Sequence, residues 1–187
     1  MDSKMKGIVR CEPYNPKWKE EFIKIRSMLD ACIGDLIIGF EHVGSTSVEG
    51  LAAKPIIDID VVIDSYEIFP QIVERLMAIG FIHEGDGGIK GREVFKRNFE
   101  DDFMPYHLYV CPKNSEELLR HIAFREYLKG HASEREEYGS LKMRLAEQFP
   151  TSIDKYMSGK HDCVQRILLK IRSESAIPSI YTKPESD

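Results

Sequence analysis

The sequence has no long hydrophobic run. None of its 187 residues lies in a stretch that approaches the ~18 consecutive apolar residues of a membrane-spanning helix. The first residues, Met1 to Lys6, include no apolar core of the kind that a secretory signal needs. These absences exclude a helical membrane protein, and they predict a cytoplasmic protein with no membrane partner.

Paired cysteines and an excess of positive charge are missing too. The four cysteines form no C-x-x-C pair, which disfavours both a disulfide framework and a zinc site. The net charge of -5 argues against a broad nucleic-acid-binding surface, because such binding neutralises many phosphates with Lys and Arg side chains. A local basic pocket stays compatible with this composition.

Hydrophobic patterns of two periods alternate along the chain, and a hydrophobic content of 42% is enough to fill the core of one domain. The predicted strands are Ile8–Tyr14, Leu36–Val43, Pro55–Ile63, Phe81–Glu84, Arg92–Phe99 and Tyr106–Cys111. The predicted helices run from Asn15 to Gly34, from Ser65 to Gly80, from Asn114 or Ser115 to about Lys129, from Ser133 to Gln148 and from Ser152 to Arg172. The order of these elements predicts an α/β (α+β) fold.

This order also predicts a single domain over residues 1–173. Its sheet part covers about residues 1–112, and its helical part covers about residues 113–173. Residues 174–187 offer little that can be buried and are predicted to form a flexible tail.

Two carboxylates interrupt the most hydrophobic of the predicted strands. Asp58 and Asp60 are two residues apart, so both side chains leave the same face of the strand, ~7 Å from each other. Buried carboxylates need pairing, hydrogen bonds or a metal ion, and this spacing suits Mg²⁺ held between carboxylates and substrate phosphates. The alternative is a strand with one face in solvent, where alternating Asp residues are harmless.

A glycine and a serine follow the preceding predicted strand. Gly44 allows a ligand to come close to the backbone, and the hydroxyl of Ser45 and the nearby N–H groups can meet phosphate oxygens. Taken alone, the pair is more typical of an ordinary turn than of a binding site.

The order of the two motifs narrows the interpretation. Gly44-Ser45, a spacer of 12 residues and then Asp58-Ile59-Asp60 resemble the DNA polymerase beta-type nucleotidyltransferase superfamily. The string from His42 to Asp60 resembles the GrpB-like family within it. This resemblance extends from Tyr14 to about Ile171.

The resemblance implies a small mixed β-sheet flanked by helices, with a C-terminal helical part. It implies that Gly44 and Ser45 lie beside nucleotide phosphates and that Asp58 and Asp60 hold Mg²⁺. Members of the family also occur fused to dephospho-CoA kinase. Active members of the superfamily carry a third carboxylate on a later strand, where this sequence has His107 instead.

Several further residues are candidates for the same site. His107 can act as a base or a metal ligand, or it can be a hydrogen-bonded structural histidine. The candidates for binding phosphate are Lys54, Arg92, Lys96, Arg97 and Lys160. For these basic residues, ordinary surface charge is the alternative.

Two hypotheses of different classes follow from these motifs. The first is a Mg²⁺-dependent nucleotidyltransferase-like enzyme, with a nucleoside triphosphate and an unknown acceptor as partners. The second is a nucleotide-sensing or docking module in which the missing third carboxylate leaves no turnover. A purely structural protein would leave the aspartates without a ligand to offset their burial.

Overall fold

The computed structural model describes residues 7–174 as a five-stranded sheet with helices on both faces. The strands are β1 (Gly39–Val43), β2 (Ile57–Ile63), β3 (Phe81–His83), β4 (Glu93–Arg97) and β5 (Tyr106–Pro112). The helices are α1 (Lys17–Ile33), α2 (Phe69–Ala78), α3 (Glu116–Gly130), α4 (Ala132–Gln148) and α5 (Ile153–Ser173). Short 3-10 helices occupy Gly34–Leu36 and Ser45–Ser47. The α+β class predicted from the sequence is confirmed.

The sheet is mixed, with the strand order β1-β2-β5-β4-β3. The pair β2 and β5 is parallel, and the other three neighbouring pairs are antiparallel. Strand β2 is therefore paired on both sides, as expected for a run of seven mostly apolar residues. Its register with β5 places Asp58 opposite His107 and Asp60 opposite Tyr109.

The two faces of β2 have different neighbours. Ile57, Ile59, Val61 and Ile63 belong to the main hydrophobic core, which also includes the buried residues of α1 and α2. Val62 packs in a smaller cluster with Cys111 of β5 and with Leu118 and Ile122 of α3. Asp58 and Asp60 share the face of Val62, since side chains alternate along a strand. Helix α3 therefore covers the end of the face on which both aspartates lie.

The predicted edge strand over Ile8–Tyr14 is wrong. Within this segment only Glu12 pairs as in a sheet, in an isolated bridge to Ala53, while the N–H of Val9 donates to the carbonyl oxygen of Pro150 at 2.8 Å. Pro13 has no N–H to continue a ladder, so the segment crosses between two parts of the chain instead.

Other predicted boundaries moved by a few residues. Leu36 ends a 3-10 helix instead of beginning β1, and α2 begins at Phe69 because the Ser65 hydroxyl accepts the N–H of Glu67 in a local turn. The three C-terminal helices lie within one or two residues of their predicted bounds. The predicted flexible tail, apart from Glu174, falls outside the described residues. In residues 7–174, no helix is long and apolar enough to cross a membrane.

Candidate functional site

The predicted Gly-Ser turn and aspartate pair meet at one end of the sheet. Strand β1 ends at Val43, which is the register partner of Asp58, so Gly44 leaves the strand directly beside this aspartate. Gly44 has φ 69° and ψ -175°, a combination that essentially only glycine adopts. A Cβ atom at this position would lie 2.2 Å from Asp58 Oδ2. The glycine is therefore required both by the backbone conformation and by the carboxylate.

The two aspartates differ in burial and in partners. The side chain of Asp58 is 28% exposed, and its Oδ1 accepts a hydrogen bond of 2.8 Å from His107 Nδ1. Asp60 is 0% exposed, and its Oδ2 accepts a hydrogen bond of 2.7 Å from His121 Nδ1. Burial raises the pKa of Asp60, against the opposing effect of His121. Among the described residues, Asp60 Oδ1 is buried and has no hydrogen-bond partner.

His121 belongs to a chain of charged side chains, running from the buried Asp60 to the partly exposed Arg120, that our interpretation of the sequence missed. Its Nε2 lies 3.1 Å from Glu117 Oε1, and Arg120 Nε donates to Glu117 Oε2 at 2.8 Å. Burial alone would lower the pKa of His121, but its bonds to Asp60 and Glu117 raise it to about 9. The signal in the sequence was the four-residue spacing of Glu117 and His121, which puts both side chains on one face of α3.

A small cavity of ≈ 90 Å³ opens beside Ser45 and Asp58. Three lysines line it together with His107, and they are Lys54, Lys142 and Lys160. We call it the lysine cavity. Lysines rarely cluster in a buried place without a partner of opposite charge. Asp58 is the one carboxylate among the described residues that line this cavity, so three amines face one carboxylate. This excess of positive charge is typical of a site for an anion, in a protein whose net charge is -5.

Lys142 of α4 is the most deeply buried of these lysines. Its residue is only 2% exposed, its Nζ donates to Ser45 Oγ at 2.8 Å, and it lies 4.4 Å from the ring centroid of Tyr138. Burial lowers its pKa to about 7. Burial and then the charge of Lys54 lower the pKa of Lys160 to about 8. An anionic ligand would relieve both effects, because it favours the charged form of each amine.

Lys142 was not among the residues predicted from the sequence. A signal was present, because Lys142 follows Tyr138 by four residues and precedes Leu145 by three on α4, and both neighbours are buried. A lysine on the buried face of an amphipathic helix needs a reason. We had taken α4 only as a helix.

The structure brings most of the predicted site residues together at the lysine cavity and places the three basic residues around β4 elsewhere. Ser45, Lys54, Asp58, His107 and Lys160 line the lysine cavity, and Gly44 packs against Asp58. Asp60 lies two residues further along β2, where it is fully buried against His121.

The three basic residues predicted around β4 do not line this cavity. The guanidinium of Arg92 lies over the ring of Tyr109 and 3.7 Å from Glu117 Oε1. Lys96 pairs with Glu84, and Arg97 pairs with Asp101. Lys96 and Arg97 serve local ion pairs beside β3 and β4, and Arg92 is held beside β5 and α3. Phosphate binding by these three residues stays a prediction.

The aspartate pair fits a hard divalent cation that also takes ligands from a substrate. The buried Asp60 Oδ1 is an acceptor with no partner among residues 7–174, as a metal ligand would be before the metal is added. In the same residues, no group of three or more His, Cys, Asp or Glu side chains is arranged to hold a metal ion. Mg²⁺ is ordinarily held by one or two carboxylates together with waters and substrate phosphates, which matches this donor set.

Comparison with known proteins identifies the family. A profile described as "GrpB protein" matches residues 8–170. The chain belongs to the GrpB family. The "UPF0157 protein YqkA" of Bacillus subtilis is 36% identical over 152 residues, which are 81% of this chain but only 44% of YqkA. The "Glutamate-rich protein GrpB" of Alkalihalophilus pseudofirmus is 34% identical over 166 residues, covering 87% of this chain and 95% of that protein.

Solved structures give the same family and a wider fold group. The crystal structure of conserved protein GrpB from Enterococcus faecalis matches with a TM-score of 0.78 at 33% identity, over 88% of this chain and 98% of that chain. The Cid1 poly(U) polymerase with bound MgGTP matches with a TM-score of 0.51 at 18% identity, over 73% of this chain and 43% of that chain. The second match shows that this GrpB-family chain has the nucleotidyltransferase fold.

Replacing Gly44 by alanine tests the packing of the turn against Asp58. We expect Gly44→Ala to lower the free energy of unfolding by about 1–3 kcal/mol, since a non-glycine residue is strained in this conformation. Urea denaturation measures the change. Gly39→Ala is the matched control, because a Cβ at Gly39 meets no atom within 4 Å. Equal stability of the two variants would show that the turn is not held as described.

Replacing Lys142 by methionine tests its burial through the pH dependence of stability. The folded-state pKa of about 7 lies below the ~10.4 of a free lysine, so the unfolded chain binds more protons between these values. The destabilising effect of the buried amine is therefore complete below pH 7 and is relieved as the pH rises.

We expect the unfolding free energy of the wild type, relative to Lys142→Met, to increase between pH 7 and 9 with a slope of up to about 1.4 kcal/mol per pH unit. Urea denaturation at several pH values measures this slope. Lys19→Met, at an exposed position, should give a curve parallel to that of the wild type. A curve for Lys142→Met that also stays parallel would contradict the assignment of a buried amine.

Proposed function

We propose that the protein binds a Mg²⁺–nucleoside triphosphate at the lysine cavity and transfers its nucleotidyl group to an acceptor. The observation that carries the proposal is the hydrogen bond between the buried Lys142 and Ser45, directly beside the aspartate pair. A buried cation, a glycine turn with a serine hydroxyl and two carboxylates form a site for phosphate and metal together.

Each group in the cavity has a role in this proposal. The three lysines neutralise the β- and γ-phosphates, and the Ser45 hydroxyl and the backbone of the turn hold phosphate oxygens. Asp58 and Asp60 would hold Mg²⁺, which would stabilise the negative charge on the transferred phosphoryl group and on the leaving pyrophosphate. The cavity volume of ≈ 90 Å³ is far below the ~300–1,000 Å³ of sites for whole ligands, so only phosphates would enter it.

His107 occupies the position at which a third carboxylate would otherwise activate the acceptor. Its Nδ1 donates to Asp58, which leaves Nε2 of the neutral ring as a proton acceptor, and its side chain is 51% exposed. In the proposed step an acceptor hydroxyl attacks the α-phosphorus and gives its proton to Nε2. The bond to the bridging oxygen breaks, and pyrophosphate leaves.

A second candidate function is nucleotide binding without turnover. The observation in its favour is the same residue, because a neutral histidine opposite Asp58 supplies no third anionic metal ligand. A dephospho-CoA kinase of Mycobacterium tuberculosis is 32% identical over 75 residues, covering 38% of this chain and 18% of the kinase, which is compatible with a module that accompanies another enzyme. Release of pyrophosphate from a bound triphosphate separates the two candidates.

Thermal unfolding with nucleotides tests the proposed binding site. A ligand at about 100 times its Kd stabilises the folded state by about 2.7 kcal/mol. The four ribonucleoside triphosphates are tested one at a time, with and without Mg²⁺. We expect at least one of them to raise the Tm only when Mg²⁺ is present. Asp60→Asn should abolish this rise because it removes a charged metal ligand.

Two further variants control this experiment. Asp58→Asn changes a half-buried aspartate and should lose the same Mg²⁺-dependent rise in Tm. It provides the test if Asp60→Asn folds poorly. Asp102→Asn changes an exposed loop residue and should behave as the wild type does. A Mg²⁺-dependent rise that survives in both Asp58→Asn and Asp60→Asn would remove the aspartates from the site.

A further inference from the structure

A second and larger cleft lies on the other side of Thr46 from the lysine cavity. Its volume is ≈ 760 Å³, within the ~300–1,000 Å³ range of sites for whole small molecules. Its walls come from the beginning of α1, from the 3-10 turn after β1, and from the facing parts of α3 and α4. We call it the basic cleft, after its four cationic residues Lys19, Arg125, Lys129 and Arg135.

The two arginines of the basic cleft are held firmly and retain donors. Arg125 uses Nη1 to bond Glu41 at 2.6 Å and the His42 carbonyl at 2.8 Å, and its Nε bonds Glu126. Arg135 uses Nη1 alone, on the carbonyl oxygens at the end of α3. No bond within residues 7–174 uses the Nη2 group of either arginine, so both can donate to a bound phosphate or carboxylate.

The opposite wall is aromatic. Tyr14, Phe22 and His42 line it, and the rings of Phe22 and His42 stack with centroids 4.7 Å apart. Glu49 carries a negative charge among the lining residues, and Glu41 and Glu126 pair with Arg125 and Lys129, so the cations of the cleft exceed these carboxylates by one. A ligand with a ring and an anionic group suits this combination of one apolar wall and one cationic wall.

Thr46 joins the basic cleft to the lysine cavity, because it lines both. Its hydroxyl donates to the Ile56 carbonyl at 3.3 Å, so its oxygen accepts the 3.0 Å hydrogen bond from His42 Nε2. Thr46 follows Ser45 directly, which places a molecule in the cleft within one residue of the proposed phosphate site. The nucleoside of a triphosphate donor is uncharged and would not need four cations, which favours a separate anionic molecule.

We propose that the basic cleft is the acceptor site and takes a phosphomonoester of the size of a nucleoside monophosphate. Its ring packs against the aromatic wall, its phosphate meets the arginines and lysines, and its free hydroxyl points past Thr46 towards the lysine cavity. This assignment rests on the proposed nucleotidyl transfer. It names the class of acceptor for that reaction.

Calorimetric titration of paired probes tests this assignment. AMP, GMP, CMP and UMP are titrated singly, and the tightest is compared with the α,β-methylene triphosphate of the same base with Mg²⁺. The double variant Lys19→Glu and Lys129→Glu reverses two charges of the basic cleft. Its matched control is Lys24→Glu with Lys170→Glu, which makes the same change in net charge at exposed lysines outside both cavities.

The cleft variant should raise the Kd of the monophosphate at least about tenfold, which corresponds to the loss of one charge-assisted hydrogen bond. It should change the Kd of the triphosphate analogue by less than about threefold. Lys142→Met should show the reverse pattern, and the control should bind both probes as the wild type does. Binding of the monophosphate that depends on Lys142 and not on the cleft lysines would overturn the inference. Equal weakening of both probes by the cleft variant would do so too, because the donor would then fill the cleft.

The remaining outcomes separate this inference from the proposed function. If no monophosphate binds to the wild type, the acceptor class is wrong while the donor site stands. If the triphosphate analogue does not bind but a monophosphate binds through the cleft lysines, the proposed transfer fails. The acceptor role then fails with it, and the cleft is a phosphomonoester site of another kind.

Discussion

Burial of charge at one end of the sheet is the constraint on which the rest of the site depends. Strand β2 is paired on both sides and fills the core with one face, so the residues of its other face cannot move away from their neighbours. Asp60 is fully buried there, and such a carboxylate is costly unless another group compensates its charge. His121 compensates one oxygen, and the other has no partner among the described residues.

The same constraint appears with the opposite sign across the lysine cavity. Lys142 is buried almost as fully as Asp60, and its Nζ donates a hydrogen bond to the neutral hydroxyl of Ser45. The carboxylate of Asp60 and the amine of Lys142 have opposite charges and do not pair with each other. A ligand that carries both positive and negative charge could compensate both. A complex of Mg²⁺ and phosphate, as we propose, would be such a ligand, because the cation would meet the carboxylates and the phosphate oxygens would meet the lysines. Structural ion pairs alone would bring these side chains into direct contact.

The fold could be predicted where local pattern and final packing agree. Strand β2 is a nearly continuous apolar run, α3 and α5 begin at the serine caps Ser115 and Ser152, and the predicted bounds of β2 and of α3 to α5 differ little from those in the structure. The segment Ile8–Tyr14 misled us because its apolar residues serve contacts with distant parts of the chain and not a ladder of strand pairs. The family resemblance and the fold class are confirmed, and one domain over residues 1–173 stays a proposal.

The site could be predicted only in part, because its motifs are local and its other members are not. Gly44, Ser45 and the aspartates follow from their order along the chain. His121 contacts Asp60 from α3, at a sequence separation of 61 residues, and Lys142 contacts Ser45 from α4, at a separation of 97 residues. Nothing in the local sequence states which strand a helix faces. Lys96 and Arg97 do not line the cavity because the sheet order puts β4 beyond β5, and Arg92 is held over Tyr109 of β5 and beside Glu117.

A crystal structure with Mg²⁺ and an α,β-methylene nucleoside triphosphate tests the central claim most directly. We expect a metal ion bound to Asp58 and to Asp60 Oδ1, with terminal phosphates in hydrogen-bond contact with Ser45 and Lys142. We also expect that the nucleoside lies outside the lysine cavity. A triphosphate bound elsewhere, or one bound there with no metal at the aspartates, would contradict the account.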